Sequence, residues 1–335
     1  MSIAPLSREL AKQAVDAMSL ALAEGRSMRS AARSLGLNGG SFWSRLEIAE
    51  RTYGLIPTPG VAPVVEEVRE AKPRVRIKAI RSPDDIPVYR VLGIGDVHDA
   101  PDLDKSRFGW IGKHAAQMNP DAVVFIGDMA DFDSLSRHSA PGSITDKLKP
   151  SYAADLDSLT EGLSLFRKHA PNVRAHFTIG NHEARIWKFE ENSAAAEGML
   201  TGPFLDLMAR FDIRVVPEGE WLVLAGVAFT HSPFGLYGKL MGGEFMNSIA
   251  NRSRMSCVMG HTHRMQVMHA HKLGPLGGIE LVNLGTALPM GYIKPYARVA
   301  TTAWSWGVME LTLQDGHIIG HEFISMDQLE ALHAA

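Results

Sequence analysis

Apolar residues Leu10, Ala14, Val15, Met18 and Leu22 recur at helical spacing between Ser7 and about Glu24, and Ser7 stands where an N-cap is needed. The stretch SMRSAARSLG predicts a second, short helix closed by Gly36. After an Asn38-Gly39-Gly40 turn, a third helix is expected from Ser41 to about Tyr53. Prolines 57, 59, 63, 73, 83 and 87 then interrupt any regular element, so residues 56–86 read as a linker or extended arm. From Tyr89 the texture changes to short apolar β-type runs ending in Gly-Asp or Gly-Asn, alternating with amphipathic helices.

The expected order is strand 88–94, helix 104–118, strand 121–126, helix 153–169, strand 173–179 and a helical region over 183–210. Mostly strands follow, at 213–216, 220–224, 226–231, 255–259, 264–271, 279–284, 304–313 and 317–324, with a helical insertion near 241–251. A βαβαβ half followed by a sheet-rich half packs best as two sheets face to face with helices outside. The fold class is therefore α/β: a four-layer α/β/β/α sandwich over 87–335, preceded by a small all-α domain over 1–55.

Composition adds little to this picture, but charge and cysteine usage do. No apolar run approaches the length of a membrane span, and Arg8, Glu9 and Lys12 occupy the place of a signal peptide's apolar stretch, so the expected location is cytoplasmic. One cysteine, Cys257, excludes an internal disulfide framework and a cysteine-based zinc site. It lies in an apolar run and reads as a buried structural thiol. Residues 1–82 hold 13 Lys and Arg against 8 Asp and Glu, whereas the remainder holds 21 against 29. The N-terminal segment is thus basic and the rest acidic, as suits a carboxylate cluster awaiting cations, although solvated surface acids give the same balance.

Five short motifs follow apolar runs, at strand ends where open α/β sheets place ligand-binding groups: Gly95-Asp96-Val97-His98, Gly127-Asp128-Met129-Ala130-Asp131, Gly180-Asn181-His182-Glu183, Thr230-His231 and Gly260-His261-Thr262-His263. Singly, each has a plain structural explanation as a turn, a helix cap or a core histidine. Together they collect oxygen and imidazole donors with no thiolate, a set suited to Mn, Fe, Zn or Mg.

In this order the motifs GDxH, GDxxD, GNHE, a strand-end histidine and GHxH resemble the calcineurin-like metallophosphoesterase superfamily, over roughly residues 88–325. The resemblance implies a site for two divalent metal ions, with manganese the first choice and iron, zinc or magnesium the others. It implies that Asp96, His98 and His263 hold one ion, that Asn181, His231 and His261 hold the second, and that Asp128 bridges both. Two such ions, roughly 3.5–4 Å apart, lower the pKa of a shared water, and the resulting hydroxide attacks phosphorus directly. His182 is then the expected general acid, with Asp131 fixing its tautomer and raising its pKa.

One departure bears on the substrate. Protein phosphatases of this superfamily continue the second motif as GDxVDRG, whereas this chain reads GDMADFDS and has no arginine until Arg137. Arg137, His138, Arg185 and Arg264 are candidate substrate contacts, and Tyr237, Lys239, Arg252 and Arg254, in or beside the helical insertion, are compatible with a nucleic-acid backbone. The N-terminal segment resembles a helix-turn-helix of the resolvase or repressor kind. Ala31 and Ala32 would pack between helices, SFWSRLEIAER would be the recognition helix, and Arg29, Arg33 and Arg45 would contact phosphates. These features favour a phosphodiesterase or nuclease acting on DNA. The alternatives are a phosphatase or phosphodiesterase for nucleotides or other small phosphoesters, its N-terminal helices serving homo-oligomerisation, and a DNA-binding protein with a vestigial site. The intact ligand set argues against the last.

Overall fold

The computed structural model describes residues 7–58, 87–235, 238, 241, 246–273, 277–294 and 303–334. The expected linker lies outside these residues from position 59 onward, as do Tyr237 and Lys239 of the insertion. The chain divides into two units, Met1–Ala79 and Ile80–Ala335.

The N-terminal unit contains α1 (Arg8–Ala23), α2 (Met28–Ser34) and α3 (Gly39–Tyr53). The Ser7 hydroxyl accepts from the Leu10 N–H at 3.3 Å, as the sequence leads one to expect. Asn38 is not a turn residue but the cap of α3: its side-chain oxygen accepts from the Ser41 N–H at 2.8 Å, and the helix starts two residues early. The small core is built on alanine: Ala14, Ala21, Ala31 and Ala32 surround Phe42, and Ala11 and Val15 meet Ala49. Helices that approach closely have room only for methyl groups, so the buried stripe of α1 includes Ala11 and Ala21 while Leu10 and Leu22 face outward.

In the larger unit, period-two alternation sorts side chains between layers. On β1 (Tyr89–Ile94), Leu92 and Ile94 point to one face and Val91 to the other; on β2 (Ala122–Phe125), Val123 and Phe125 divide from Val124 in the same way. Beside them lie β3 (Ala175–Thr178), β4 (Ile213–Val216), β10 (Gly307–Gln314) and β11 (His317–Ser325), in the order β11-β10-β1-β2-β3-β4. Strands β1 to β4 are parallel, and β10 is antiparallel to both β1 and β11. The second sheet has the order β5-β6-β7-β9-β8, from β5 (Leu222–Leu224), β6 (Val227–Phe229), β7 (Cys257–Met259), β8 (Met265–His271) and β9 (Gly278–Leu284).

Three apolar clusters fill the spaces between four layers. Phe108 and Ile111 of α4 (Ser106–Met118), Leu163 and Phe166 of α6 (Tyr152–His169), Phe204 of α8 (Thr201–Arg210) and Leu329 of α10 (Met326–His333) cover the outer face of the first sheet. Val91, Val124, Phe229, Val258, Val282, Leu284 and Leu311 join the two sheets. Met246, Ile249 and Ala250 of α9 (Met246–Arg252) cover the far face of the second. This is the expected sandwich, with one short helix among the described residues as its thin outer layer. Cys257 is buried in this last cluster, and burial pushes its thiol up to about 12. Among the described residues, no helix is long and apolar enough to cross a membrane.

Candidate metal centre

Parallel pairing puts strand ends on a common edge. Strands β1, β2 and β3 run parallel in one sheet and β6 and β7 in the other, so the residues just beyond Ile94, Phe125, Thr178, Phe229 and Met259 emerge together. All five motifs start there. The loops lock to one another through the backbone: the Val97 and His98 N–H groups donate to Asp128 O at 3.0 and 2.8 Å, and Asp131 N–H donates to Asp99 O at 2.9 Å. The motif glycines allow the close approach. A Cβ on Gly180 would lie 2.2 Å from Asp128 Oδ1, and one on Gly260 would lie 2.4 Å from Asp96 Oδ1.

Asp96, His98, Asp128, His231 and His263 are buried, while Asn181 and His261 are partly exposed. His98 Nε2 lies 2.9 Å from His263 Nε2, which is 3.0 Å from Asp96 Oδ2. His231 Nε2 is 3.1 Å from Asn181 Oδ1 and 3.3 Å from Asp128 Oδ2. Asp128 Oδ2 is also 3.9 Å from His98 Nε2 and 4.0 Å from His182 Nε2, so this carboxylate faces both groups. Among the described residues, three sets of side chains are close enough to hold an ion: Asp96, His98 and His263; Asp128, His231 and His261; and His98, Asp128 and His182.

Proton positions follow from the outward-facing ring nitrogens. His231 Nδ1 lies 2.9 Å from Ile126 O, an acceptor only, so Nδ1 carries the hydrogen and Nε2 presents a lone pair to Asn181 Oδ1 and Asp128 Oδ2. His98 Nδ1 lies 2.8 Å from the Asp131 carboxylate, so its Nε2 likewise presents a lone pair toward His263 and Asp96. The His261 N–H donates to Asp96 at 3.0 Å and the His182 N–H to Asp128 at 2.8 Å, but the Nε2 atoms of His98 and His231 still face side-chain oxygens at close quarters, an arrangement that needs a further proton or a cation. Without a cation, protons fill the role. Burial opposes charge on His231, but Asp128 and Asp96 outweigh it and hold the ring up to about 10. Burial likewise opposes charge on Asp128, yet His231 and His182 keep its pKa well below the usual range.

Asp131 and His182 meet differently from expectation. His182 Nδ1 donates to the Asp131 carbonyl at 2.9 Å, while the Asp131 carboxylate binds His98 and the buried ammonium of Lys294. His182 Nε2 is 3.3 Å from Arg185 Nη2. Burial, with His98 and Arg185, pushes the His182 ring down to about 4, outweighing Asp128 and, less strongly, Asp131, which raises the pKa as expected. Arg185 also donates to the Asp131 carbonyl at 2.7 Å. The exposed Arg137 and His138 line a small recess with Arg185, and His138 also lines a cavity of about 760 Å³ together with His182, Arg185 and Lys294. Arg264 directly follows His263 and is half-buried; Arg252 and Arg254 are exposed.

Several residues that organise the site carry no strand-end signal. Glu183 is fully buried and accepts from the N–H groups of Asp128, Gly180 and Ala130 at 3.0, 3.0 and 3.1 Å, tying the second motif to the third. Burial beside Asp128 pushes its carboxyl up to about 7. Asp99 anchors the first loop by accepting from Arg107 at 2.8 Å and Ser158 at 2.6 Å, with Lys105 at 3.1 Å. Glu183 stands inside a motif already singled out, and its position next to Asn-His was an available clue. Lys294 reaches Asp131 across 163 positions, and nothing local marks it.

A family model described as calcineurin-like phosphoesterase matches residues 89–265, a span that contains all of these motifs. The chain is also similar to the Gene 54 protein of Mycobacterium phage L5, at 27% identity over 226 residues, covering 64% of this chain and 84% of the phage protein. A protein of the same name from Mycobacterium phage D29 is 27% identical over 232 residues, with the same shares covered.

Proposed function

The chain belongs to the calcineurin-like phosphoesterase family, and from that premise we propose that it is a metal-dependent phosphodiesterase acting on DNA. The observation that carries the metal centre is the convergence of candidate ligand atoms: with Nδ1 of His98 and His231 bound to Asp131 and Ile126 O, their Nε2 atoms face the side-chain oxygens of Asp96, Asp128 and Asn181. In this reading Asp96, His98 and His263 hold one divalent cation, Asn181, His231 and His261 hold another, and Asp128 serves both. When bound, such a pair acidifies water near neutrality and offsets charge on the phosphoryl oxygens.

The chain's own residues orient and protonate. Glu183 holds the Asp128 and Asn181 loops in register through three backbone N–H bonds. Asp131 fixes His98 through its carboxylate and His182 through its carbonyl. With Nδ1 occupied, Nε2 is the nitrogen that serves the leaving oxygen, once Arg185 Nη2 at 3.3 Å turns from it to the substrate. The ring is neutral at rest and gains its proton when the negative phosphate arrives beside it. A diester is favoured over a monoester because the nearby cations already have carboxylate partners: Lys294 the Asp131 carboxylate and Arg185 that of Asp133 at 3.8 Å. They suit one phosphoryl charge better than two.

DNA is proposed from the basic balance of residues 1–82 and from the arginines of the N-terminal helices, of which Arg29 and Arg33 are exposed and Arg45 partly so. A second reading, oligomerisation with a small-molecule substrate, is supported by Trp43 at 59% and Leu20 at 50% exposure in the same unit. The deciding experiment compares a generic phosphodiester, a generic phosphomonoester and single- and double-stranded DNA and RNA, in Mn with metal content measured in parallel. Cleavage of DNA, with salt-dependent binding that weakens on deletion of residues 1–55, is the expected result. Failure to cleave any polynucleotide would remove the nuclease, and an unchanged salt slope would remove the role of the N-terminal helices.

A further inference from the structure

The cavity of about 760 Å³ lies to one side of the metal centre, with Asn181 and His182 forming its inner end. Its size is that of a small-molecule site, about 300–1,000 Å³. Arg185 and Lys294 stand near His182, and Ile144, Leu148 and Pro150 supply an apolar wall. Ile144 and Leu148 are 78% and 77% exposed, on and just after the four-residue helix α5 (Ile144–Lys147). Two large apolar side chains so little covered by their own protein, and both facing one cavity beside a reactive centre, offer a surface to a ring.

Position decides which part of the substrate arrives there. If His182 Nε2 protonates the leaving oxygen, the group attached to that oxygen must continue past His182, into this cavity. Resting on the phosphodiesterase reading above, we propose that the cavity binds the leaving-side nucleoside of the scissile diester, with its base against Ile144, Leu148 and Pro150. A base in a duplex is paired on its edge and covered on both faces, so it reaches such a wall only when unstacked. Single-stranded nucleic acid is therefore the substrate, and the duplex is not.

Dinucleotide substrates test this with full-length, metal-loaded protein. One thymidine dinucleotide carries both bases, and two others replace a single nucleoside, on the 5′ or the 3′ side, with an abasic tetrahydrofuran. The side that leaves is identified by which product retains the phosphate. Loss of the leaving-side base should lower kcat/KM by about 10-fold, the order expected for burying roughly 60 Å² of base face on aliphatic side chains at about 25 cal/mol per Å², and loss of the other base should have a far smaller effect. Leu148→Ser should abolish that discrimination, and duplex oligonucleotides should be cut more slowly than the same strands alone. The proposal is overturned if only the phosphate-retaining base matters, if neither base matters, or if duplex is preferred. Methyl p-nitrophenyl phosphate separates the two levels: if the protein hydrolyses it while the bases prove irrelevant, the cavity proposal fails and the phosphodiesterase reading stands. If protein with two bound metals hydrolyses neither kind of substrate, the reading itself fails.

Discussion

Gly180→Ala isolates the geometric requirement of the centre, because it adds one methyl group without removing any donor or ligand. The new Cβ would fall 2.2 Å from Asp128 Oδ1 and 2.3 Å from Asp128 N. Ordinary contact begins about 1 Å further out, so Asp128 or the Gly180 loop must move by about that much. Neither is free to do so. Asp128 N–H donates to Glu183 at 3.0 Å, Asp128 Oδ1 accepts from His182 N–H at 2.8 Å, and Gly180 N–H donates to the same Glu183 oxygen at 3.0 Å. Overpacking of this kind costs about 1–3 kcal/mol, or roughly 2–12 °C in Tm for a domain this size. Metal sites tolerate displacements of about 0.2 Å, and a misplacement of about 1 Å costs on the order of 100-fold in rate. The variant should therefore bind fewer than two ions per chain and lose on the order of 100-fold in kcat/KM on a generic diester. Gly202→Ala in α8 is the control: its Cβ meets nothing within 4 Å, and both metal content and rate should hold. If Gly180→Ala retained two ions and full activity, the close approach of the two loops would not be what positions Asp128.

Asp128→Asn should abolish turnover of every phosphoester; residual cleavage at a tenth of the normal rate would refute its shared role. His182→Ala should keep its metals yet lose roughly 10²–10⁴-fold in kcat, most of all with poor leaving groups, and slowing that is uniform across leaving groups would deny it proton transfer. Glu183→Ala leaves three buried N–H groups without an acceptor, so chemical denaturation should show a loss of several kcal/mol, at about 1–3 kcal/mol for each. Burial pushes the Asp155 carboxyl up to about 6 even though Ser134 donates to it at 2.6 Å. The folded state thus holds this proton more tightly than the unfolded chain, whose carboxyl titrates near 4, and stability falls by about 1–3 kcal/mol as pH rises from about 4 to about 6. In Asp155→Asn, urea melts across that window should lack this slope and show higher stability at pH 7; an unaltered slope would place it in other groups.

The parts of the fold that were legible are those whose signal is local. β1, α4 and α6 fall within two residues of expectation, because an apolar run bounded by polar or glycine residues is readable in a single pass. Helix α10 was missed although Ser325 and Gln328 form a capping box, because it begins where β11 ends and the apolar pattern continues without a break. The metal-centre candidates were legible for a similar reason: each follows a β run, most with a glycine. Sheet order was not, since β1 pairs with β10 from more than 200 positions away. Nothing local marks Arg107, which is buried on Asp99. Lys294 lies in a run, GYIKPY, that resembles any loop.

Backbone conformation connects these two classes of residue. Four of the seven candidate ligands, His98, Asp128, His261 and His263, have positive φ, at 48°, 47°, 73° and 58°. Such conformations cost non-glycine residues on the order of 1–3 kcal/mol each and persist only where the surroundings over-determine them. Residues other than the candidate ligands supply part of that determination: Glu183 receives the Asp128 N–H, and Thr286 and Ala287 donate to Asp96 O at 2.6 and 2.9 Å. Asp96 in turn accepts the His261 N–H at 3.0 Å. A strained ligand held this way cannot relax outward in the absence of its ion, so the acceptor atoms stay converged and little reorganisation is needed on binding. Glycine and ligand are adjacent in the sequence because the sharp exit from the strand requires both at once. Among the groups that brace the ligands, Glu183 lies within a motif, whereas Thr286, Ala287 and Lys294 act from outside any motif, through hydrogen bonds that any loop residue of the right reach could make, which is why those three leave no pattern to read.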